Sequence, residues 1–190
     1  MRTTLLGSAL TLALPILAAT PSAAEIVSEY TDLNSEQNCH AIAQSDEGPT
    51  LDLVCAGYGN YPVFLTETDG RQAVTVGFAA DRGMATFSRF NYANDKIEWR
   101  IDRDNGKDQP FAAIQRWYLA DQNGEWTTQL LAVYRVGQPG EGGACTIGYL
   151  TGADVNERAR QLADDRAEGF ACGSDSPQID DALSTDVSPE

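Results

Sequence analysis

Hydrophobic and polar residues alternate over most of the region from residue 51 to residue 150. A period of two is typical of β-strands with one buried face. Turn residues interrupt it at Asp69-Gly70 and at 121–124, and each of these turns is flanked by alternating segments, as in a β-hairpin. The chain therefore predicts about seven strands, chiefly antiparallel. They cover residues 51–55, 63–68, 72–78, 96–102, 111–119, 126–136 and 145–150.

One helix is predicted after the last strand. Thr151 is placed to cap its start, with Asp154 three residues further on as a variant capping box. Helical spacing puts one set of apolar residues on a single face: Val155, Ala159, Leu162, Ala163, Ala167 and Phe170. The predicted fold class is therefore α+β, with an antiparallel sheet of about seven strands and one C-terminal helix laid on it. The strand at 111–119 is apolar on both faces, so we expect the helix or a partner to cover one of them.

Residues 1–24 have the features of a secretory signal peptide. Arg2 supplies a positive start, residues 5–19 form an apolar run, and Ser22-Ala23-Ala24 places small residues before the cleavage position. The apolar run is shorter than the roughly 20 residues that a membrane-spanning helix needs. We therefore expect a periplasmic or secreted protein with no membrane anchor after cleavage.

Four cysteines follow the predicted signal peptide, an even number that favours disulfides in an oxidising compartment. Three connectivities are possible. The sequential one, Cys39–Cys55 with Cys145–Cys172, is favoured because each pair brackets a short supersecondary unit. A four-thiolate zinc site would need closely spaced cysteine pairs, which the chain lacks. A single disulfide-stapled domain is thus predicted over residues 25–172.

The chain carries 28 acidic and 13 basic residues, a net charge of −15. This charge argues against nucleic acid and anionic lipid surfaces, and it favours a basic protein as partner. Residues 173–190 hold five acids and two prolines but neither Lys nor Arg. Such a composition predicts a disordered acidic tail.

Catalytic and metal chemistry find little support. His40 is the only histidine, and the nucleophile elbow of serine hydrolases does not occur. Among many acids, Glu67 and Glu98 are the least arbitrary pair for a carboxylate-based hydrolase. The segment 102–108 departs from the EF-hand pattern, with Gly at the fifth position and Lys at the sixth. We predict no catalytic residue, no metal site and no cofactor.

Aromatic residues are the more suggestive set. Core packing accounts for most of them, but those at the irregular bend 57–62 and on the strand at 111–119 can form a contact surface. The candidate binding residues are Tyr58, Asn60, Tyr61 and Tyr118.

Several stretches together resemble a family of small exported proteins of alphaproteobacteria. The resemblance is carried by Tyr30-Thr31-Asp32-Leu33, by Cys39, by 55–63, by Glu98-Trp99-Arg100, by 110–117, and by the helix between Cys145 and Cys172. It spans nearly all of the predicted domain. It implies an exported domain with two cysteine pairs, and it implies no catalytic residue.

The leading hypothesis is therefore a non-enzymatic binding module, in one version an inhibitor of a basic enzyme such as lysozyme. The alternatives are a structural or envelope-homeostasis protein without a ligand, and a hydrolase that uses carboxylates.

Overall fold

The computed structural model describes residues 25–33, 37–44, 50–79, 87–103 and 108–187. Residues 1–24, the predicted signal peptide, lie outside the described residues. So do residues 104–107, which belong to the segment compared above with an EF-hand loop. Within these ranges the helix is α1 (Val155–Arg166), and a short 3₁₀ helix spans Asp181–Leu183. The strands are β1 (Ile26–Asp32), β2 (Cys39–Gln44), β3 (Thr50–Ala56), β4 (Pro62–Thr68), β5 (Arg71–Val76), β6 (Asn91–Asp102), β7 (Gln109–Ala120), β8 (Trp126–Arg135), β9 (Cys145–Leu150) and β10 (Gln178–Ile179).

The strands form two sheets, which corrects the prediction of a single sheet of about seven strands. One sheet has six strands in the order β1-β6-β7-β8-β9-β10, antiparallel except for the β9–β10 pair. The other has four antiparallel strands in the order β2-β3-β4-β5. Alternation shows which side of a strand is buried but not which strand lies beside it. The edge strands β1 and β2 are mostly exposed or half-buried, so their apolar pattern is weak.

The two hairpins follow the predicted turns. At the β4–β5 turn, Asp69 and Gly70 both have positive φ, 51° and 69°. This combination suits the right-handed twist of the flanking strands and is one that Asp and Gly tolerate. At the β7–β8 turn, the Asp121 carboxylate accepts hydrogen bonds from the backbone N–H groups of Asn123 and Glu125 at 2.8 and 3.0 Å.

The six-stranded sheet is the middle of three layers. Its inner face packs on the four-stranded sheet around the fully buried Trp99 and Trp117. Its outer face packs on α1, through Ile114 and Val133 among others. The strand predicted to be apolar on both faces is β7, and both its faces are indeed covered, one by the helix and the other by the second sheet.

The helix is confirmed over its predicted core, with Ala159, Leu162 and Ala163 buried against the sheet. Its start differs from the prediction. Asp154 precedes the first turn in a left-handed conformation and makes no capping bond through its side chain. The Thr151 hydroxyl instead donates to the Gln129 carbonyl on β8 at 2.8 Å. Thr151 therefore fastens the loop before the helix to the sheet instead of capping the helix.

Both predicted disulfides are present. Cys39 and Cys55 occupy directly opposite positions on β2 and β3. Cys145, at the start of β9, is bonded to Cys172, which follows the helix. The second bond therefore ties the far end of α1 to the strand that precedes it.

The C-terminal segment differs from the disordered acidic tail that its composition predicts. Residues 178–179 pair with β9 as its parallel neighbour. Leu183 and Val187 are 1% and 4% exposed and belong to the core between the sheets. The ordered domain thus continues to residue 187 instead of ending at Cys172.

Two acids of this segment pair with bases from elsewhere in the chain. Asp186 accepts from Arg89 at 3.1 Å, and Asp180 accepts from Arg158 at 2.6 Å. Because both arginines are distant in sequence, the composition of the segment alone could not reveal them.

Candidate functional site

The bend at residues 57–61, predicted as a contact surface, is a tightly bonded turn. The Gly57 N–H donates to the Tyr61 carbonyl, and the Tyr61 N–H donates to the Tyr58 carbonyl, both at 3.0 Å. The Tyr61 hydroxyl donates to Gln138 Oε1 at 2.8 Å. Asn60 is exposed, whereas both tyrosines are half-buried against the inter-sheet core.

Tyr58 and Tyr61 are thus engaged within the protein. Arg103 donates a hydrogen bond to the Tyr58 hydroxyl and another to Glu29, and together these contacts raise the pKa of Arg103. The Tyr61 ring meets the Phe78 ring edge-on, with 5.4 Å between centroids. These two tyrosines therefore join the two sheets, and Asn60 is the exposed member of the predicted set at this bend.

Tyr118 lies on the outer face of the six-stranded sheet, the face on which α1 packs. Side chains alternate along β7, so Tyr118 points away from the inter-sheet core that contains Trp117. Its ring stacks on Tyr92 with centroids 4.8 Å apart, and Tyr92 meets Trp126 at a near-perpendicular angle over 4.7 Å. We call these three residues, Tyr92, Tyr118 and Trp126, the aromatic ledge. The structure does not bring Tyr118 together with the other predicted binding residues.

Strand pairing builds the aromatic ledge. Tyr92 is directly opposite Tyr118 across β6 and β7, so their rings stack as a cross-strand pair. On the other side, Tyr118 is opposite Gln129 of β8. Just beyond, the register shifts between Leu119 and Ala120, and Trp126 begins β8 opposite Ala120. The rings therefore stand on three adjacent strands, which hold them more rigidly than a loop would.

The helix covers only part of this sheet face. Arg116, two residues before Tyr118 on the same face of β7, donates to the Asn156 side chain in the first turn of α1 at 3.1 Å. This contact marks the border between the part covered by the helix and the aromatic ledge. Trp126 is 50% exposed, and Tyr92 and Tyr118 are half-buried.

Exposed acidic residues adjoin Trp126 and Asn156 in the sequence. Glu125 is exposed immediately before Trp126. At the helix end, Asp154 and Glu157 are exposed on either side of Asn156. Among the described residues at this border, Arg116 supplies the opposing positive charge. Three carboxylates and one guanidinium leave the border net negative.

The acids considered for hydrolytic chemistry are engaged in other contacts. Glu98 on β6 is 11% exposed and accepts from Arg160 of the helix at 2.6 and 3.2 Å, and from the Ser28 hydroxyl at 2.5 Å. Burial raises the pKa of Glu98, but the hydrogen bonds from Arg160 and Ser28 outweigh it, so the pKa is lowered. A general acid needs a raised pKa instead. Glu67 lies in the other sheet, where it accepts from Gln72 at 3.1 Å.

A second ion pair fastens the helix beside the first. Arg100 of β6 forms a two-pronged pair with Asp164 of α1 at 2.8 and 2.6 Å and also donates to the Ser28 hydroxyl at 2.6 Å. Ser28 thus links the two ion pairs. The carboxylates here bind the helix to the sheet.

Most basic residues take part in such pairs. Ten Lys and Arg residues lie in the described part of the chain, and seven of them form ion pairs. The three without an ion pair to a described residue are Arg116, Arg135 and Arg166, of which Arg166 lies 5.2 Å over the Phe170 ring. The exposed surface is therefore dominated by carboxylates.

Exposed carboxylates also lie on the outer face of α1. Exposed residues recur at spacings of four, four and three, and form what we call the acidic stripe: Glu157, Gln161, Asp165 and Glu168. The helix also has three arginines: Arg158 pairs with Asp180, Arg160 pairs with Glu98, and Arg166, next to Asp165, forms no ion pair with a described residue. Within α1, from Glu157 to Asp165, the stripe extends over about 12 Å, at the helical rise of about 1.5 Å per residue.

His40 is exposed on the edge strand β2, next to the bonded Cys39. The described residues contain no group of three or more His, Cys, Asp or Glu that could hold a metal ion. Among those same residues, no helix is long and apolar enough to cross a membrane.

Comparison with known proteins found no matching family model, no matching curated protein and no matching solved structure. The two disulfides are typical of an oxidising, extracytoplasmic compartment. The described residues thus form a disulfide-bonded, β-rich domain with one α-helix.

Sequence reasoning missed Tyr92 and Trp126 as site residues. Alternation could have placed Tyr118 on the outer face of its strand, but the stacking partner comes from a strand whose start was predicted at residue 96 instead of residue 91. Trp126 was predicted at the start of a strand, and only the register across the hairpin shows that it reaches Tyr92.

Proposed function

We propose that this protein is a non-enzymatic binding module that acts in the periplasm or is secreted, and that its partner is a basic protein. Residues 1–24 serve in this proposal as the cleaved signal peptide. The resemblance to small exported proteins of alphaproteobacteria supports the same compartment, and so do the two disulfides. No nucleic acid, membrane anchor or cofactor enters the proposal.

The observation that carries this proposal is the way in which the ion pairs use the basic residues. Seven of the ten described bases pair with carboxylates of the same molecule, among them Arg158 and Arg160 of α1, so most exposed carboxylates have no basic partner. Long-range attraction to a cationic partner increases with unpaired negative charge on one face. The lowered pKa of Glu98 argues against a general-acid role for this carboxylate.

In its most specific form, the proposal makes the protein an inhibitor of a basic secreted enzyme such as lysozyme. Opposite charge speeds encounter between an acidic inhibitor and a basic enzyme. The oxidised protein, purified from the periplasm of an expression host, is titrated against lysozyme. Binding is measured by calorimetry and inhibition by lysis of peptidoglycan.

A variant of the acidic stripe tests the role of its charge. Replacing Glu157→Gln, Asp165→Asn and Glu168→Gln removes three negative charges from the helix face. We expect association with the basic protein to slow about tenfold at low salt, because charge acts mainly on the association rate. The difference should shrink as salt rises and the Debye length falls below about 8 Å.

The matched control removes three exposed acids elsewhere, through Glu25→Gln, Asp95→Asn and Glu141→Gln. Both variants have the same net charge. If they bind equally, the stripe does not matter and only the total charge does. If the wild-type protein binds no basic protein at physiological salt, the proposal is wrong, and a structural or envelope-homeostasis protein without a ligand becomes the better hypothesis.

A further inference from the structure

We infer that the aromatic ledge is the docking surface for the basic partner and that it receives a lysine or arginine side chain of that partner against Trp126. This inference rests on the proposed function and adds to it the place and the chemistry of recognition. It concerns the outer face of the six-stranded sheet and not the bend at residues 57–61.

The Trp126 side chain is exposed and rests on rings that are held rigidly by paired strands. Trp126 is 50% exposed although it belongs to a stacked group, and Tyr92 and Tyr118 beneath it are fixed by strand pairing. Tryptophan and tyrosine that are already held in place lose little side-chain entropy on binding, which is why such residues dominate protein interfaces.

The charge of the ledge is complementary to that of a basic partner. The face of an indole ring attracts cations, most strongly when the cation is partly desolvated. Glu125 adjoins Trp126, and Asp154 and Glu157 flank Asn156, which contacts Arg116 at the edge of the ledge. A cationic side chain would therefore meet both an aromatic face and carboxylates here.

The aromatic ledge lies next to the start of the acidic stripe. The first turn of α1 contacts Arg116, at the edge of the ledge, and the stripe continues from Glu157 along the helix. The acidic stripe thus begins at the residue next to Asn156, which contacts Arg116 at the edge of the ledge. A basic partner can be attracted by the stripe and anchored at the ledge.

Tyr30 and Phe90, the two other described aromatic residues that are about half exposed, do not offer this combination. Tyr30 is 50% exposed, but its hydroxyl accepts a hydrogen bond from Arg160, a guanidinium that would repel a cation. Phe90, 49% exposed, is covered on one face by the guanidinium of Arg71, 4.9 Å from the ring centroid. The aromatic ledge is thus free of a guanidinium stacked on its rings among the described residues.

The test measures binding of lysozyme as the basic probe to ledge variants. Trp126→Ala and Tyr118→Ala should each weaken binding about tenfold, the range expected for a partly desolvated cation–π anchor. Tyr30→Ala removes an equally exposed aromatic ring outside the ledge and should leave the dissociation constant within about twofold. Near-ultraviolet circular dichroism and thiol titration verify that each variant is folded and oxidised.

Charge variants at the border determine the sign of the preferred ligand. Arg116→Gln removes the base that contacts Asn156 and should tighten lysozyme binding about threefold, whereas Glu125→Gln should weaken it about threefold. An anionic ligand would show the reverse order. This pair of variants leaves the aromatic rings in place.

The outcomes separate the inference from the proposed function. If lysozyme binds the wild type but the ledge variants bind equally well, the inference is wrong and the proposed function remains. If lysozyme does not bind the wild type, both fail. If a neutral chitooligosaccharide binds the wild type and Trp126→Ala abolishes that binding, the ledge is a carbohydrate platform and the inference is overturned.

Discussion

Replacing Gly57 by alanine is the sharpest test of how the two sheets are joined. Gly57 lies at the start of the bend that follows β3. A Cβ atom built at this position would lie 2.4 Å from the Tyr61 carbonyl oxygen and 2.5 Å from Cζ2 of Trp99. Ordinary contacts of a Cβ atom are 3.4 Å or longer. The methyl group therefore overlaps two neighbours by about 1 Å each.

Neither neighbour can move away easily. Trp99 is fully buried, and its indole N–H donates to the Thr31 hydroxyl at 2.8 Å. The Tyr61 carbonyl accepts the hydrogen bond of Gly57 itself at 3.0 Å. Overpacking of a well-packed core costs about 1–3 kcal/mol. With two constrained neighbours we expect a loss at the upper end, about 3 kcal/mol, which lowers the melting temperature by about 6–12 °C.

Urea unfolding monitored by circular dichroism measures this loss as a shift in midpoint at unchanged slope. Gly169→Ala is the matched control, because a Cβ atom at Gly169 meets nothing within 4 Å and the residue has no positive φ. We expect the control to change stability by less than about 0.5 kcal/mol. A loss below about 1 kcal/mol for Gly57→Ala would refute the argument, since the junction would then have room for a methyl group.

Two further predictions concern the helix and the C-terminal segment. The folded-state pKa of Glu98 is lowered, so its ion pair stabilises the protein above the unfolded pKa, near 4.5, and this stability is lost as the pH falls through the folded pKa. Glu98→Gln should therefore flatten the acid side of a plot of unfolding free energy against pH; an unchanged slope would contradict the assignment. Leu183→Ala should cost about 2–4 kcal/mol in urea unfolding because Leu183 is 1% exposed in the inter-sheet core, whereas a disordered tail would tolerate it without loss.

Local patterns predicted those parts of the fold that local chemistry determines. Asp69 and Gly70 define a turn because few other residues accept positive φ at both positions. The helix follows from spacing alone, since residues such as Ala159 and Leu162 must share a face. Of the three possible disulfide connectivities, the one favoured because each pair brackets a short unit of 16 or 27 residues is confirmed.

Features that depend on distant partners could not be predicted in the same way. The division into two sheets depends on which strands pair, and edge strands such as β2 carry too few buried residues to show a pattern. Asp186 is held by Arg89, which is 97 residues away in the chain. The aromatic ledge depends on the register of β6 against β7, where an irregularity between Ala93 and Ile97 displaces the pattern that the sequence alone displays.

The ion pairs explain how so acidic a chain folds and why its acidity faces outward. Mutual repulsion among carboxylates opposes the compact state most strongly where they lie close together between packed layers. Arg100 and Arg160 neutralise Asp164 and Glu98 where the helix meets β6. Arg89 neutralises Asp186 where the C-terminal segment meets the ends of β7 and β8. If the acids served solubility alone, the bases could be scattered over the surface without loss of solubility. Their concentration at the junctions between elements instead lets the outer face of α1 keep its negative charge while the layers beneath it remain bound.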